Sequence, residues 1–263
     1  MKIASFNING IKARLPLLLD WLKESGPEIV ALQEIKSIDA NFPKSEIENL
    51  GYNVVTHGQK SFNGVAILSK YPIHDITIGL KGNPLDHQAR WVEAEIEALK
   101  ICCLYLPNGN PVPGPKFDYK LEWMERLWLR AKEIIDSEQA TVILGDYNII
   151  PQIEDAERPD LWVNDALFRI ESRSLYNRIL NLGFTDALRN VNLSSGLYTF
   201  WDYQGGAWEN NNGIRIDHIL LSPQVADLLV SCEIDSLIRS RERPSDHVPI
   251  IAEIKHYNPK LFS

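Results

Sequence analysis

Residues 90–106, RWVEAEIEALKICCLYL, contain two apolar segments separated by only two residues. The first, 90–97, alternates apolar and polar side chains, as a strand with one buried face does, and 100–106 continues in the same way. Two paired strands with no helix between them argue against a purely parallel, doubly wound sheet, in which each connection needs a long crossover. The chain therefore has sheets in which at least some neighbours follow directly in sequence.

The rest of the chain alternates between further apolar strands and helical patterns. No Ser/Gly-rich linker and no internal repeat divides the 263 residues, so we expect a single domain, 1–263, with packed sheets inside and helices outside. The loops are expected at 107–115 and 202–213. Strands are predicted at 2–8, 28–34, 64–70, 140–146, 214–222 and 247–254, and helices at 13–24, 116–136 and 172–182.

Composition limits the classes of function. The chain is 44% hydrophobic and 24% charged, with no secretory signal and no apolar run long enough to span a membrane, which predicts a soluble cytoplasmic protein without membrane contact. Three cysteines without metal-ligand spacing predict buried, reduced thiols. The formal net charge of -8 argues mildly against nucleic acid, although a local basic patch or a carboxylate metal site is compatible with it.

Six polar clusters interrupt or end the apolar segments. Glu34 ends one segment and Asn7 lies near the end of another, and oxygen ligands of this kind suit Mg²⁺. The alternative is that each residue only caps a turn. The clusters are FNING (6–10), LQE (32–34), YLPNG (105–109), GDYN (145–148), RID (215–217) and SDH (245–247).

The GDYN cluster places Asp146 and Asn148 two residues apart, on the same side of an extended segment. An Asp that accepts protons beside an Asn that donates and accepts can hold a water molecule or a developing oxyanion. The alternative is an Asx turn, which needs only one of the two residues.

His247 is the candidate for handling a proton or charge near neutral pH. Its neighbour Asp246 cannot orient it, because adjacent residues of an extended chain point to opposite faces. Asp217 lies in an apolar segment, where an unpaired charge is costly. The sequence therefore predicts an Asp217–His247 pair that fixes the imidazole tautomer; the alternative is a structural histidine.

The positions of these residues along their strands constrain the topology. Asn7, Glu34 and Asp146 end their strands, whereas Asp217 and His247 lie near the start of theirs. They can meet at one edge of a sheet only if the last strands run opposite to the first. We therefore expect a mixed, largely antiparallel arrangement.

In order and spacing, the six clusters resemble the exonuclease III family of apurinic/apyrimidinic endonucleases, part of the endonuclease/exonuclease/phosphatase superfamily. The resemblance covers nearly the whole chain. It implies an α/β (α+β) fold, a four-layered α/β sandwich of two packed mixed β-sheets flanked by helices. It also implies a monomeric base-excision-repair enzyme that uses Mg²⁺, or Mn²⁺, to hydrolyse the phosphodiester 5′ to abasic sites in double-stranded DNA. Exonuclease activity from 3′ to 5′ and removal of 3′-blocking groups are implied as well.

Carried over motif by motif, the resemblance implies Glu34 as the principal metal ligand, supported by Asn7 and Asp246. Asp146 would activate or position the attacking water, although the sequence leaves open whether Asp146 or His247 takes its proton. The other implied roles are Asn148 on the water and phosphate, Asp217 orienting His247, His247 and Tyr105 on the phosphate, and Asn108 on the DNA backbone. Apart from the resemblance, the charge of Arg90 in HQAR (87–90) could supply a phosphate contact; the alternative is solvated surface.

The segment YTFWDY (198–203) resembles the wall of the family's pocket for an extruded abasic sugar. Phe200 and Trp201 would form this wall, completed by Ile214 and Ile216; extrusion costs least where no base stacks. Relatives often carry an aromatic residue in place of Ile214, so we expect a looser pocket and a changed balance of endonuclease and exonuclease activity. The alternative is ordinary core packing.

A basic segment near the end of the chain, RSRER (239–243), would place three guanidinium groups on one face if extended. Such a face could supply phosphate contacts; the alternative is solvated surface. Two other functions are considered. One is a superfamily phosphatase or phosphodiesterase with a non-DNA substrate, slightly favoured by the acidic charge. The other is a non-catalytic binding module, disfavoured because a competent residue fills every catalytic position.

Overall fold

Strands and helices follow one another irregularly along residues 1–257, which the computed structural model describes. The strands are β1 (Lys2–Asn7), β2 (Ile29–Gln33), β3 (Asn53–His57), β4 (Val65–Ser69), β5 (His74–Ile78), β6 (Trp91–Ile96), β7 (Leu99–Tyr105), β8 (Thr141–Asp146), β9 (Thr185–Asp186), β10 (Asp217–Leu221), β11 (Leu229–Ile234) and β12 (Ile250–Ile254). The helices are α1 (Ile11–Ser25), α2 (Lys44–Glu48), α3 (Pro115–Asp136), α4 (Ile170–Leu180), α5 (Ala187–Val191) and α6 (Pro223–Ala226).

The strands form two six-stranded sheets, in the orders β11-β12-β1-β2-β4-β3 and β5-β6-β7-β8-β10-β9. Each sheet has a parallel pair at its centre, β1 with β2 and β7 with β8, and the other pairs are antiparallel. A helix connects each parallel pair, α1 in the first sheet and α3 in the second, as a parallel crossover requires. The prediction of a mixed, largely antiparallel arrangement is confirmed.

Apolar side chains define four layers. Between the sheets, Ile67 and Leu144 belong to a fully buried aliphatic cluster. The outer face of the first sheet packs against α1 through Trp21, and that of the second packs against α3 and α4 through Trp123 and Tyr176. The order is helix, sheet, sheet, helix, so the expected four-layered sandwich is confirmed.

The predicted strands are all present, with small shifts at their ends. The largest shifts affect β10 and β12, which begin at Asp217 and Ile250, so Ile214, Ile216 and His247 lie in the loops before these strands. Four strands were not predicted: β3, β5, β9 and β11. The three cysteines are buried and free, as predicted. Within residues 1–257, no helix is both long and apolar enough to cross a membrane.

Candidate active site

The polar clusters converge where the carboxyl ends of the two central parallel pairs meet. Asn7 ends β1 beside Gln33 of β2, and Tyr105 ends β7 beside Asp146 of β8. Asp217 begins the antiparallel β10 opposite Asp146. The sequence alone had indicated a site at one edge of a single sheet. The structure instead builds the site from strand ends of both sheets. Packing of the two sheets makes one concave site from two sets of strand ends.

The amide of Asn7 joins two carboxylates in the floor of the site. Its Nδ2 donates to Glu34 Oε1 at 2.9 Å and to Asp146 Oδ2 at 2.9 Å, while its Oδ1 accepts the Asn9 backbone N–H at 3.0 Å. Asn7 is fully buried. In this arrangement Asn7 orients the two carboxylates and does not itself direct an oxygen towards them.

The grouping of Glu34, Asp146 and His247 fits a divalent cation, because their ligand atoms all lie within 4.8 Å of one another. The two carboxylates offer the oxygen ligands that Mg²⁺ prefers, whereas an imidazole suits Mg²⁺ less well. Asp246 lies outside this group and accepts hydrogen bonds from Asn9 Nδ2 at 2.9 Å and Ser245 Oγ at 3.3 Å.

A positive charge already lies beside Glu34. The Lys36 ammonium is 2.8 Å from Glu34 Oε2 and also bonds Asn9 Oδ1. Burial alone would raise the pKa of Glu34, but the charge and hydrogen bond of Lys36 and the bond from Asn7 hold it below its ordinary value. Glu34 is therefore kept ionised, as a metal ligand must be.

Asp146 uses its two oxygens for different contacts. Oδ1 accepts the Asn148 backbone N–H at 2.8 Å in an Asx turn, while Oδ2 faces Asn7. Burial and the nearby carboxylates of Asp217 and Glu34 raise the pKa of Asp146, although His247 opposes the rise. The Asx turn proposed as an alternative is thus present together with the site contact, and the environment increases the proton affinity of Asp146.

The strand end that carries Asp146 depends on a glycine. A Cβ on Gly145 would lie 2.0 Å from the Leu104 carbonyl oxygen of the adjacent strand β7. No other residue fits there without moving one strand. Gly145 of the GDYN cluster is therefore a steric requirement of the close approach between β7 and β8.

Asp217 and His247 form a buried pair. His247 Nδ1 lies 2.8 Å from Asp217 Oδ2, and Nε2 faces Asp146 Oδ2 at 3.7 Å. Burial would lower the pKa of His247, but Asp217 and Asp146 raise it well above its ordinary value. The Phe200 ring packs edge-on against the imidazole at 5.0 Å. The imidazole is therefore held as a cation with one N–H directed to Asp217 and the other towards the site.

Four more predicted residues, Asn148, Asn108, Tyr105 and Arg90, lie close to this group. Asn148 Nδ2 donates to the Leu106 carbonyl at 2.9 Å, and its Oδ1 accepts Asn108 Nδ2 at 3.2 Å. Burial, Glu34 and Asp146 raise the pKa of Tyr105 well above its ordinary value, so its phenol stays protonated and able to donate. The Arg90 guanidinium lies 4.8 Å from the centre of the Tyr105 ring.

The predicted pocket residues are only partly brought together. Ile214 and Ile216 are 1% and 3% exposed and pack, with Leu167, in an apolar cluster that Phe200 contacts. Trp201 belongs to a different cluster, beside Tyr198 and Val248, and does not join this wall. Ile214 does not create an open pocket here, because neighbouring apolar side chains fill the space around it.

The prediction that 239–243 is extended, with three guanidinium groups on one face, is wrong. Ser236–Ser240 forms a 3₁₀ helix and not an extended strand. Arg239 is buried, with its guanidinium 5.0 Å from the Tyr203 ring, and donates to the Trp201 carbonyl at 3.2 Å. Arg241 pairs with Glu24 on α1. Arg239 and Arg241 therefore serve different contacts, and Arg243 is exposed with a left-handed backbone.

Two lysines of the site were not predicted. Lys36 pairs with Glu34, and Lys120 of α3 is fully buried beneath the loops that carry Asn108 and Asn148. A lysine two residues after Glu34 could have been read as a charge partner. Lys120 carries no such signal, because charged residues on an amphipathic helix are ordinarily exposed.

Comparison with known proteins agrees with this geometry. The model of the endonuclease/exonuclease/phosphatase family matches residues 4–247. Exodeoxyribonuclease III of Haemophilus influenzae is 36% identical, and the alignment covers 97% of this chain and 100% of that relative. The DNA repair nuclease APEX1 of Danio rerio is 30% identical over 95% of this chain and 81% of its own length.

Solved structures are similar over the same extent. An AP endonuclease from Archaeoglobus fulgidus superposes with a TM-score of 0.93 at 38% identity, covering 97% of this chain and 99% of that chain. A 3′ phosphatase from Neisseria bound to a product DNA hairpin superposes with a TM-score of 0.95 at 36% identity, covering 97% and 99%.

Proposed function

The chain belongs to the endonuclease/exonuclease/phosphatase family as a hydrolytic DNA-repair nuclease, and we propose that it cleaves the phosphodiester 5′ to abasic sites in duplex DNA. The observation that carries the proposal is that Glu34 and Asp146 lie beside the Asp217–His247 pair, where the strand ends of the two sheets meet. Carboxylates for a metal and a charged imidazole for a phosphate are the two requirements of metal-assisted phosphoryl transfer.

A divalent cation, which we propose to be Mg²⁺ with Mn²⁺ as a substitute, would be held by the ionised carboxylate of Glu34, beside Asp146. When bound, it supplies positive charge that stabilises the phosphate oxygens as negative charge builds on them. Asn7 supports this role by fixing both carboxylates through its amide. Asp246 would act indirectly, by accepting a hydrogen bond that fixes the side chain of Asn9.

We propose that Asp146, not His247, accepts the proton of the attacking water. A cationic imidazole has no free lone pair for a proton, whereas the pKa of Asp146 is raised towards neutrality, where a general base works best. Asn148, hydrogen-bonded to Asn108, would hold the water in line with the leaving oxygen.

The phosphate itself would be held by donors around the cavity. His247 Nε2–H and the Tyr105 phenol would donate to non-bridging oxygens, and Asp217 keeps the imidazole charged and fixed in orientation. Preorganised donors of this kind stabilise charge that develops in the transition state. Arg90 and Asn108 would bind the flanking backbone.

A second candidate, processing of blocked 3′ ends, is favoured by one specific feature. The apolar cluster of Ile214, Ile216 and Leu167 is closed by its own packing, so an extruded sugar would have to displace Phe200 or its neighbours. A 3′-terminal phosphate needs no such pocket. A structural neighbour from Neisseria is described as a 3′ phosphatase.

The test compares initial rates on matched duplexes that carry one internal abasic site, one 3′-phosphate at a nick, or neither. We expect Mg²⁺-dependent cleavage at the abasic site at least about 10²-fold faster than at an undamaged phosphodiester. Faster turnover of the 3′-phosphate than of the abasic site would make end processing the main activity. No turnover of either damaged duplex would refute both candidates.

A further inference from the structure

Lys120 is a charged residue with no contact to solvent. It lies in the second turn of α3, is 0% exposed and is surrounded by the loops that follow β7 and β8. These two loops carry Asn108 and Asn148. A buried ammonium costs folding free energy unless its protons are bonded, so its contacts indicate what it does.

The ammonium joins the two loops through their backbones. Lys120 Nζ donates to the Asn148 carbonyl at 2.6 Å and to the Asn108 carbonyl at 3.1 Å. These two residues are also joined directly, since Asn108 Nδ2 donates to Asn148 Oδ1 at 3.2 Å. Each asparagine is therefore fixed at its backbone by Lys120 and at its side chain by the other asparagine.

The local backbone is shaped around this contact. Asn148 has a left-handed backbone, with φ of 47°, a conformation that asparagine adopts more readily than most residues other than glycine. Gly109 has φ of 93°, and a Cβ at this position would lie 2.6 Å from Lys120 Cδ. The glycine thus leaves space for the lysine stem, and the lysine fixes the carbonyl group of the left-handed asparagine.

The electrostatic environment of Lys120 disfavours its charge, which indicates that the lysine is kept for a function. Burial lowers the pKa of Lys120 to about 7, although the carboxylates of Asp146 and Asp165 oppose the shift. A residue serving only the core would be better replaced by an apolar side chain of similar shape. The lysine is retained where its two carbonyl partners belong to residues of the candidate site.

We propose that Lys120 is a positioning residue: its ammonium holds the Asn108 and Asn148 loops together and so sets the orientation of Asn148 and Asp146 for water attack. This inference rests on the proposed function for its link to catalysis. The link to Asp146 is short, because the Asn148 backbone N–H donates to Asp146 Oδ1 at 2.8 Å. Lys120 itself does not contact substrate.

The test uses the full chain with Lys120→Met, which keeps the length of the stem and removes the donors. A matched control is Leu127→Ala, a buried position two turns further along α3 that packs in the same apolar core but offers no hydrogen-bond donor to either loop. Single-turnover rate and DNA affinity are measured on the abasic duplex, with the melting temperature of each variant.

We expect Lys120→Met to lower the cleavage rate at least about tenfold while the Kd for DNA changes by less than about threefold. Leu127→Ala should lower the melting temperature at least as much and leave the rate within about twofold of wild type. Lys120→Gln, which keeps N–H donors on a shorter stem, should recover part of the rate. A wild-type rate in Lys120→Met, or parallel losses of rate and affinity, would overturn the proposal.

A second readout does not depend on activity. Hydrogen exchange of peptides spanning 106–112 and 147–152 should be faster in Lys120→Met than in wild type, whereas that of β1 should be unchanged. The comparison decides the positioning role even if the wild-type enzyme leaves the abasic duplex intact, an outcome that would count against the proposed function alone. Unchanged exchange in both loops would refute the role of Lys120. If Lys120→Gln is the only variant that folds, the same exchange measurement is made on that variant.

Discussion

Asp217 and His247 show how one buried residue sets the charge of a neighbouring residue in the site. Asp217 is fully buried, and its second oxygen, Oδ1, has no hydrogen-bond partner within residues 1–257. Its negative charge is therefore largely directed to the imidazole, where it opposes the effect of burial on the pKa of His247. The pair holds a positive charge where phosphate is expected to bind.

Asp217→Asn should lower the cleavage rate, and the loss should grow with pH. Without the carboxylate charge, the raised pKa of His247 falls, so the imidazole loses its proton as the pH rises through neutrality. We expect a loss of about tenfold at pH 6 and about 10²- to 10³-fold at pH 9. The pH–rate profile of the chemical step measures this, with the exposed Asp227→Asn as control. The same loss at every pH would contradict the assigned role.

Glu34→Gln tests the proposed metal site. The amide keeps the shape of the side chain but removes its charge, so the concentration of Mg²⁺ that gives half-maximal activity should rise at least about tenfold. Titration of activity with Mg²⁺ and calorimetric Mg²⁺ binding both report the change, with the exposed Glu48→Gln as control. An unchanged midpoint would mean that the ion binds elsewhere.

At the residue scale, the polar clusters that end strands could be predicted. A polar group in an apolar segment is costly to bury unless it has a partner. Asp217 was paired with His247 on that argument, and the two side chains do meet. Lys120 and Arg239 could not be predicted. Their side chains enter the interior through contacts with distant loops, and nothing in the local pattern distinguishes them from surface charges.

At the scale of elements, an ion-pair network fixes the segment that leads into β10. Arg215 is fully buried and contacts Asp155 at 2.6 Å and Asp186 at 2.8 Å. Arg189 also binds Asp155 at 2.5 Å. The network joins the loop after β8, the start of α5 and the segment 214–216, and so holds the apolar cluster beside Asp217.

Arg215→Met should destabilise the fold by about 3–5 kcal/mol, because buried Asp186 loses its ion-pair partner and buried Asp155 keeps only Arg189. Burial would raise the pKa values of Asp155 and Asp186, but Arg215 holds both below their ordinary value of 3.8. Their contribution is thus complete above that pH and is lost as the pH falls through the lowered values. Urea unfolding at pH 7 and pH 3 measures the difference, which should shrink at the lower pH. A loss below about 1 kcal/mol at pH 7 would contradict this account.

The long strands were predictable because each is buried and continuously apolar or clearly alternating. The missed strands are short or lie at sheet edges: β9 has two residues, and β5 is mostly exposed. Such strands form because a neighbour offers unpaired backbone groups, and this depends on tertiary structure. Likewise, 239–243 was expected to be extended, but Ser236–Ser240 closes as a 3₁₀ turn against Trp201.

For the whole molecule, the formal net charge of -8 is reconciled with a DNA substrate by the distribution of charge. Lys12, Lys36 and Lys60 line one cleft, and Lys36 contacts Glu34 of the site. Arg90 and Lys116 line a second cleft that includes Asn108. Local positive potential beside the site can attract phosphate although the protein as a whole is acidic.

The double variant Lys12→Ala/Lys60→Ala should weaken DNA binding and lower its dependence on salt. Each lost phosphate contact reduces the slope of log K against log salt by about one. Binding to the abasic duplex across a range of salt concentrations checks this. The control is Lys23→Ala/Lys44→Ala, two exposed lysines paired with acidic residues elsewhere. Equal slopes for both double variants would mean that this cleft does not bind DNA.

Two features of the architecture followed from the residue pattern, whereas the four-layered sandwich was implied by the family resemblance. Consecutive strands excluded a purely parallel fold, and the positions of the polar residues required the last strands to run opposite to the first. The junction of two sheets at the site could not be derived, because strand order within a sheet depends on pairing between distant segments such as β1 and β12.

The most direct test of the central claim is incision of a labelled duplex with a single abasic site, in Mg²⁺ and in excess chelator, by wild type and Asp146→Asn. We predict one product, cut immediately 5′ to the abasic site, formed only by wild type with Mg²⁺ and reduced at least about 10³-fold in Asp146→Asn with binding retained. An intact duplex with wild type and Mg²⁺, or equal cleavage by Asp146→Asn, would contradict the claim.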